Sequence, residues 1–330
     1  MDCSPFLNWN ENQSESEKEK AVVYRSLVAT VKSQPALDVS LEAKAVKFLE
    51  SVVLHGRESV DRFLFSLGRT ADESLTNFVH WISVLFTSTS QVINTAAVKM
   101  LETLVRWCSP KVRLALVQAD LIPQLFTSLN PLSLSFDEAA DIHVNLMKTI
   151  AESLWLPTPN ILAELKCEDR NEQQVVYETV LKQVLVPSEK YIRLLCVNRF
   201  SIIDGSLSMN FLEILARLLA ICPYYRPTMD FVLHMPVFLT IPSCLTFFEN
   251  EMSISCFLAS MATIQWEWNM EGGEVQQRWK TMHRVLRMEG IEDVIEAKLQ
   301  NDKTKFYGGW ITFYSFRWNN QLGMNDPKLW

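Results

Sequence analysis

The chain has 330 residues, 48% of them apolar, only nine glycines and a formal net charge of −7. Such length and apolar content can supply one continuous core, as repeat arrays do. The negative balance and the lack of any basic run argue against nucleic acid as a partner, while so few glycines leave little room for phosphate-cradling loops or tight hairpins.

In chain order, Pro5, Phe6, Leu7 and Trp9 precede a polar run, ENQSESEKEK, too hydrophilic to fold alone. Residues 1–20 are therefore expected as a flexible N-terminal segment, with the aromatics docked on the first helices rather than held out as a partner motif. Residues 21–325 are expected as one helical repeat domain. Residues 21–32 read as the first helix, ended by Pro35, and Ser40 stands where it can cap a helix over 41–54. Short and long helices follow over 59–67 and 72–87, the latter with Leu75, Phe78, Ile82 and Leu85 on one stripe.

Residues 90–154 organise the rest. Ile93, Ala96, Ala97, Met100, Leu101, Leu104 and Trp107 recur at three-and-four spacing, so 93–107 is a helix with one apolar face. Ser109-Pro110 stops it, 111–118 starts a shorter helix, and Asp120 is placed to cap a third over 121–129 with Pro123 in its first turn. Asn130-Pro131 closes that one. Residues 136–154 then read as the longest helix of the unit, with paired Ala139 and Ala140 allowing close backbone approach.

This order resembles the armadillo family of helical repeats, through Ala119, Ile122, Pro123, Leu125, Leu129, Ala139 and Ala140; Asp120 stands where the family usually has glycine. The resemblance implies an all-α, right-handed α-solenoid. Internal repetition agrees: the shift from Ala96 to Ala139, 43 residues, also lays Ile82 on Leu125, Phe86 on Leu129 and Leu104 on Met147. A second echo pairs AVKFLESV at 45–52 with AVKMLETL at 97–104. The first shift lies within the roughly 40–47 residues of armadillo and HEAT units, and the second, 52 residues, implies an insertion around 55–70. The Trp-to-Asn ladder of importin-like members is missing, since Leu85, Lys111 and Pro159 stand four residues after Trp81, Trp107 and Trp155. The whole sequence is also similar to a large, uncharacterised multigene family of protist proteins that share the Phe6-Leu7-Asn8-Trp9 opening and the 242–248 segment.

Beyond Pro157 and Pro159, residues 175–186 and 187–200 read as an antiparallel helix pair, and 207–221 as a helix covered on most sides. Residues 231–248 carry no Lys, Arg, Asp or Glu, but Pro236 and Pro242 interrupt them and no basic residue anchors their ends. Two short buried helices are expected there rather than a membrane span, which needs ~20 apolar residues. Helices follow over 252–268, 274–288 and 306–321. Gly290, Ile291, Val294 and Ile295 repeat the armadillo-like opening, and six of the ten tryptophans lie from Trp266 onward.

Chemistry has little foothold. The five histidines are scattered singly, no Gly-x-Ser-x-Gly elbow or Lys-Ser/Thr phosphate loop occurs, and the seven cysteines form no close pair. No cofactor, no metal and no enzymatic activity are expected, and reduced thiols with no secretory opening place the protein in the cytoplasm. The expected function is a scaffold or adaptor that holds a protein or peptide. The alternatives are an enzyme whose pocket is assembled from distant residues, or a membrane-associated helical protein.

In the armadillo arrangement the third helix of each unit lines the concave face, here 41–54, 93–107 and 137–154. Lys47 and Glu50 recur as Lys99 and Glu102, and Arg106, Asn145, Lys148 and Glu152 continue a ladder of alternating charge. Such i, i+3 pairs also occur on any solvated helix face. As a ladder, they would orient an extended or helical partner, and alternation of sign argues against a phosphate-like ligand.

Overall fold

Capping chemistry sets six of the helix starts among the described residues. In the computed structural model, which describes residues 2–10, 16–52, 56–197, 205–222 and 224–235, the side chains of Ser16, Asp38, Thr70, Ser90, Ser109 and Asp169 each accept a backbone N–H from the first turn that follows. Every element among the described residues is helical. The chain divides into two compact units, Met1–Tyr191 and Ile192–Trp330.

In the first unit a single turn, α1 (Ser4–Leu7), is followed by α2 (Glu17–Ser33), α3 (Val39–Ser51), α4 (Arg57–Phe65), α5 (Ala71–Leu85) and α6 (Gln91–Trp107). Then come α7 (Pro110–Gln118), α8 (Leu121–Leu129), α9 (Ala140–Leu154), α10 (Pro159–Glu164) and α11 (Arg170–Val180). A π segment, Leu181–Leu185, leads into α12 (Val186–Val197). Packing joins elements three apart. Helix α2 packs on α5 and α5 on α8, while α3 packs on α6 and α6 on α9, the most extensive of these interfaces. The short helices α4 and α7 bridge the two series, α4 against α2, α5 and α6, and α7 against α5, α8 and α9.

Burial follows the sequence echoes. Ala45, Phe48, Leu49 and Val52 are fully buried, and so are Ala97, Leu101 and Leu104 at the matching places, with Met100 nearly so. Tyr24 of α2 is enclosed by Phe63, Phe78 and Trp81 at ring-centroid distances of 6.0, 6.1 and 6.3 Å. Phe6 and Trp9 dock as expected: the Phe6 N–H donates to Ser26 Oγ at 2.9 Å, and Trp9 meets Phe48 edge-on at 5.3 Å.

Five local readings are corrected. Helix α2 starts at Glu17, because Ser16 and Glu19 form a reciprocal capping box that turns the end of the polar run into a first turn. Asp38, not Ser40, caps α3, accepting the Leu41 N–H at 2.9 Å. Asp120 makes no capping hydrogen bond; it adopts φ 63, the left-handed conformation that favours glycine, between α7 and α8. Helix α9 begins at Ala140, so Ala139 flanks it and only Ala96-Ala97 forms an alanine pair inside a helix. Finally, 170–197 is helical throughout rather than a hairpin. The π segment widens the helix just before Pro187, relieving its ring, and the buried Ser188 hydroxyl donates to the Val184 carbonyl at 2.6 Å.

The second unit contains the end of α12, α13 (Gly205–Ile221) and α14 (Arg226–Leu233). Helix α13 packs on α14 and buries Phe211, Ile214, Leu215 and Leu218. Arg193 Nη2 donates to the His234 carbonyl at 2.9 Å. No helix among the described residues is long and apolar enough to cross a membrane. Residues 236–330, with most of the charge-free segment, the second armadillo-like opening and the last six tryptophans, lie outside the described residues.

Candidate partner-binding face

Helices α3 and α6 each keep a stripe of residues out of the core, while the mostly buried α9 leaves Asp141 exposed and Ala140, Lys148 and Glu152 half-buried. On α6 the burial of Ile93, Ala96, Ala97, Met100, Leu101 and Leu104 leaves Val92, Thr95, Lys99, Thr103 and Arg106 at three-and-four spacing on the open side. Thr95 and Thr103 turn their hydroxyls back to the carbonyls of Gln91 and Lys99, at 2.9 and 3.0 Å. The two basic side chains are thus the prominent polar groups of that stripe.

Of the charge ladder read from sequence, Lys47, Glu50, Lys99 and Arg106 are exposed, and Lys148 and Glu152 are half-buried. Glu102 and Asn145 are not on the open side. Glu102 is 5% exposed and pairs with Arg106 at 3.4 Å. Burial pushes its carboxyl above the usual carboxylate range, against the opposing pull of Arg106 and Lys148. Asn145 Nδ2 donates to the Asp141 carbonyl at 2.8 Å, and the Asn145 carbonyl accepts the Thr149 hydroxyl, so this residue serves its own helix.

The structure adds a residue that sequence reading missed. Arg113 of α7 is 6% exposed; its Nη1 donates to Glu152 Oε2 at 2.8 Å and to the Glu152 carbonyl at 3.2 Å, and its Nη2 to the Arg106 carbonyl at 2.9 Å. It fastens the end of α6 to α9. A lone arginine in a short apolar helix carries no periodic signal of that role.

On α3 the open side borders a cleft of about 480 Å³ lined by Asn8, Trp9, Asn10, Ser40, Lys44 and Lys47. Lys44 Nζ lies 5.8 Å from the Phe6 ring centroid and donates to the Leu7 carbonyl. The Asn8-Trp9-Asn10 stretch therefore builds one wall of the cleft, and the charged residues lining it are lysines.

Reactive groups are quiet. His143 is fully buried, stacked on Phe136 at 4.1 Å; its Nε2 lies 3.3 Å from the Leu134 carbonyl, which can only accept, so Nε2 carries the proton and Nδ1 accepts the Tyr191 hydroxyl at 2.9 Å. Burial lowers its pKa. The Cys108 thiol is pushed up to about 12 by burial, so it is protonated and poorly nucleophilic. No group of three or more His, Cys, Asp or Glu that could hold a metal occurs among the described residues. Comparison with known protein families, curated proteins and solved structures returns no match.

Proposed function

We propose that the chain is a non-catalytic scaffold or adaptor built as an armadillo-like solenoid, which holds a protein or peptide partner along the face of α3, α6 and α9. The observation that carries this reading is the packing of α2 on α5 and α5 on α8, and of α3 on α6 and α6 on α9, two series bridged by the short helices α4 and α7. A three-helix unit that cannot bury its own apolar face stacks in this way, and its last helices leave a continuous open side. The left-handed turn at Asp120, where armadillo units usually have glycine, supports the same reading. The cytoplasm is the proposed compartment.

The test is affinity purification of the full-length chain from its native cell, wild type against Lys47→Glu with Lys99→Glu, with thermal unfolding in parallel. Partner recovery should fall while the unfolding transition stays in place. Undiminished recovery with an intact fold would move the binding surface elsewhere on the chain.

A further inference from the structure

The alternating ladder of the sequence becomes a basic one once its side chains are placed. Glu102 is buried against Arg106, and Glu152 is taken by Arg113, which comes from outside the ladder. The middle of each of α3, α6 and α9 carries a lysine. Lys47, Lys99 and Lys148 are each the ninth residue of their helices, which begin at Val39, Gln91 and Ala140. Neither Lys99 nor Lys148 makes an ion pair among the described residues. The exposed acids of these stripes, Glu50 and Asp141, sit in the last turn of α3 and the first turn of α9. Lys44 joins Lys47 at the neighbouring cleft.

We propose that this lysine row selects an acidic, extended peptide that runs across α3, α6 and α9; the inference rests on the reading of that face as the binding surface. Packed helices lie ~8–10 Å apart, so the row repeats at about that interval. An extended chain in the polyproline II conformation rises ~3.1 Å per residue with three residues per turn, so every third side chain faces the same way ~9 Å further on. Acids spaced by three therefore match the row one for one. The face holds its own charges in the sense that repels a basic partner, and Arg113 is what removes Glu152 from the competition.

The experiment uses the full-length chain and fluorescein-labelled Glu-Pro-Gln repeat peptides, read by fluorescence anisotropy. Comparison peptides replace Glu with Gln or Lys, or bunch the same glutamates at one end. The spaced Glu peptide should bind, weaken as salt rises, and lose about tenfold in affinity in Lys99→Glu with Lys148→Glu, as expected when one exposed and one half-buried charge contact are reversed. Lys111→Glu, an exposed reversal on α7, should leave it unchanged. Binding of the spaced Glu peptide no tighter than the Gln peptide, or equal loss in Lys111→Glu, overturns the proposal. Equal binding of the bunched peptide overturns the spacing. A photo-crosslinker placed at Thr103 separates the two readings: if it captures a partner from native extract while the Glu peptide fails to bind, acid selection is wrong and the binding face stands.

Discussion

Replacing Arg113 by Met keeps most of the aliphatic stem but removes the charge that ties α7 to the ends of α6 and α9. Breaking a buried ion pair costs ~3–5 kcal/mol. The Glu152 side chain is 19% exposed and can recover part of its hydration, so the expected loss here is about 2–3 kcal/mol, including the Arg106 carbonyl left without its donor. At ~2–4 °C per kcal/mol for large domains, the thermal transition should fall by about 4–12 °C. The sharper quantity is the coupling in a double-mutant cycle with Glu152→Gln, measured by urea unfolding, which should reach about 1.5 kcal/mol. Coupling under ~0.5 kcal/mol would mean that the pair is solvated, that Glu152 is available on the open face, and that the basic character argued for the lysine row is wrong.

Three further outcomes follow from single residues. The Tyr24 hydroxyl is buried and meets no partner among the described residues, so Tyr24→Phe should raise stability by about 1 kcal/mol in urea unfolding; a loss of that size would show that the hydroxyl is satisfied. Asp120→Gly should gain about 0.5–1 kcal/mol by relieving the left-handed backbone at φ 63, and destabilisation would show that the carboxylate does more than fill the turn. His143 has a folded pKa below its ordinary 6.5, so the unfolded chain binds the proton first, and stability present above ~6.5 should be lost as pH falls toward the folded value. Wild type minus His143→Phe stability, followed by urea unfolding across that window, should show this slope; a flat difference would remove His143 as its source.

The helices were legible in the sequence wherever apolar residues recur at three-and-four spacing, and the boundaries failed where local hydrogen bonds outweigh that pattern. Ser16 and Glu19 were a readable capping box hidden inside a run that looks disordered by composition. Pro187 reads as a helix breaker, and only a π segment, which has no reliable sequence mark, lets the helix continue past it. For the candidate binding face, periodicity pointed to Lys47, Glu50, Lys99 and Arg106, which are exposed. It could not say that Glu102 leans into the α6–α9 seam, because position 102 borders both faces of the helix and long-range packing decides which it joins. Nor could it find Arg113, whose partners lie 39 residues away on α9 and seven away on α6.

The most direct test of the scaffold reading is site-specific photo-crosslinking of the full-length chain in extract of its native cell, with the crosslinker at Thr103 on the open stripe of α6 or at exposed His80 on α5 in the other series. A discrete partner band at Thr103, absent at His80 and competed by the spaced Glu peptide, is the predicted result. A band at His80 with none at Thr103 would contradict the assignment of α3, α6 and α9 as the binding face.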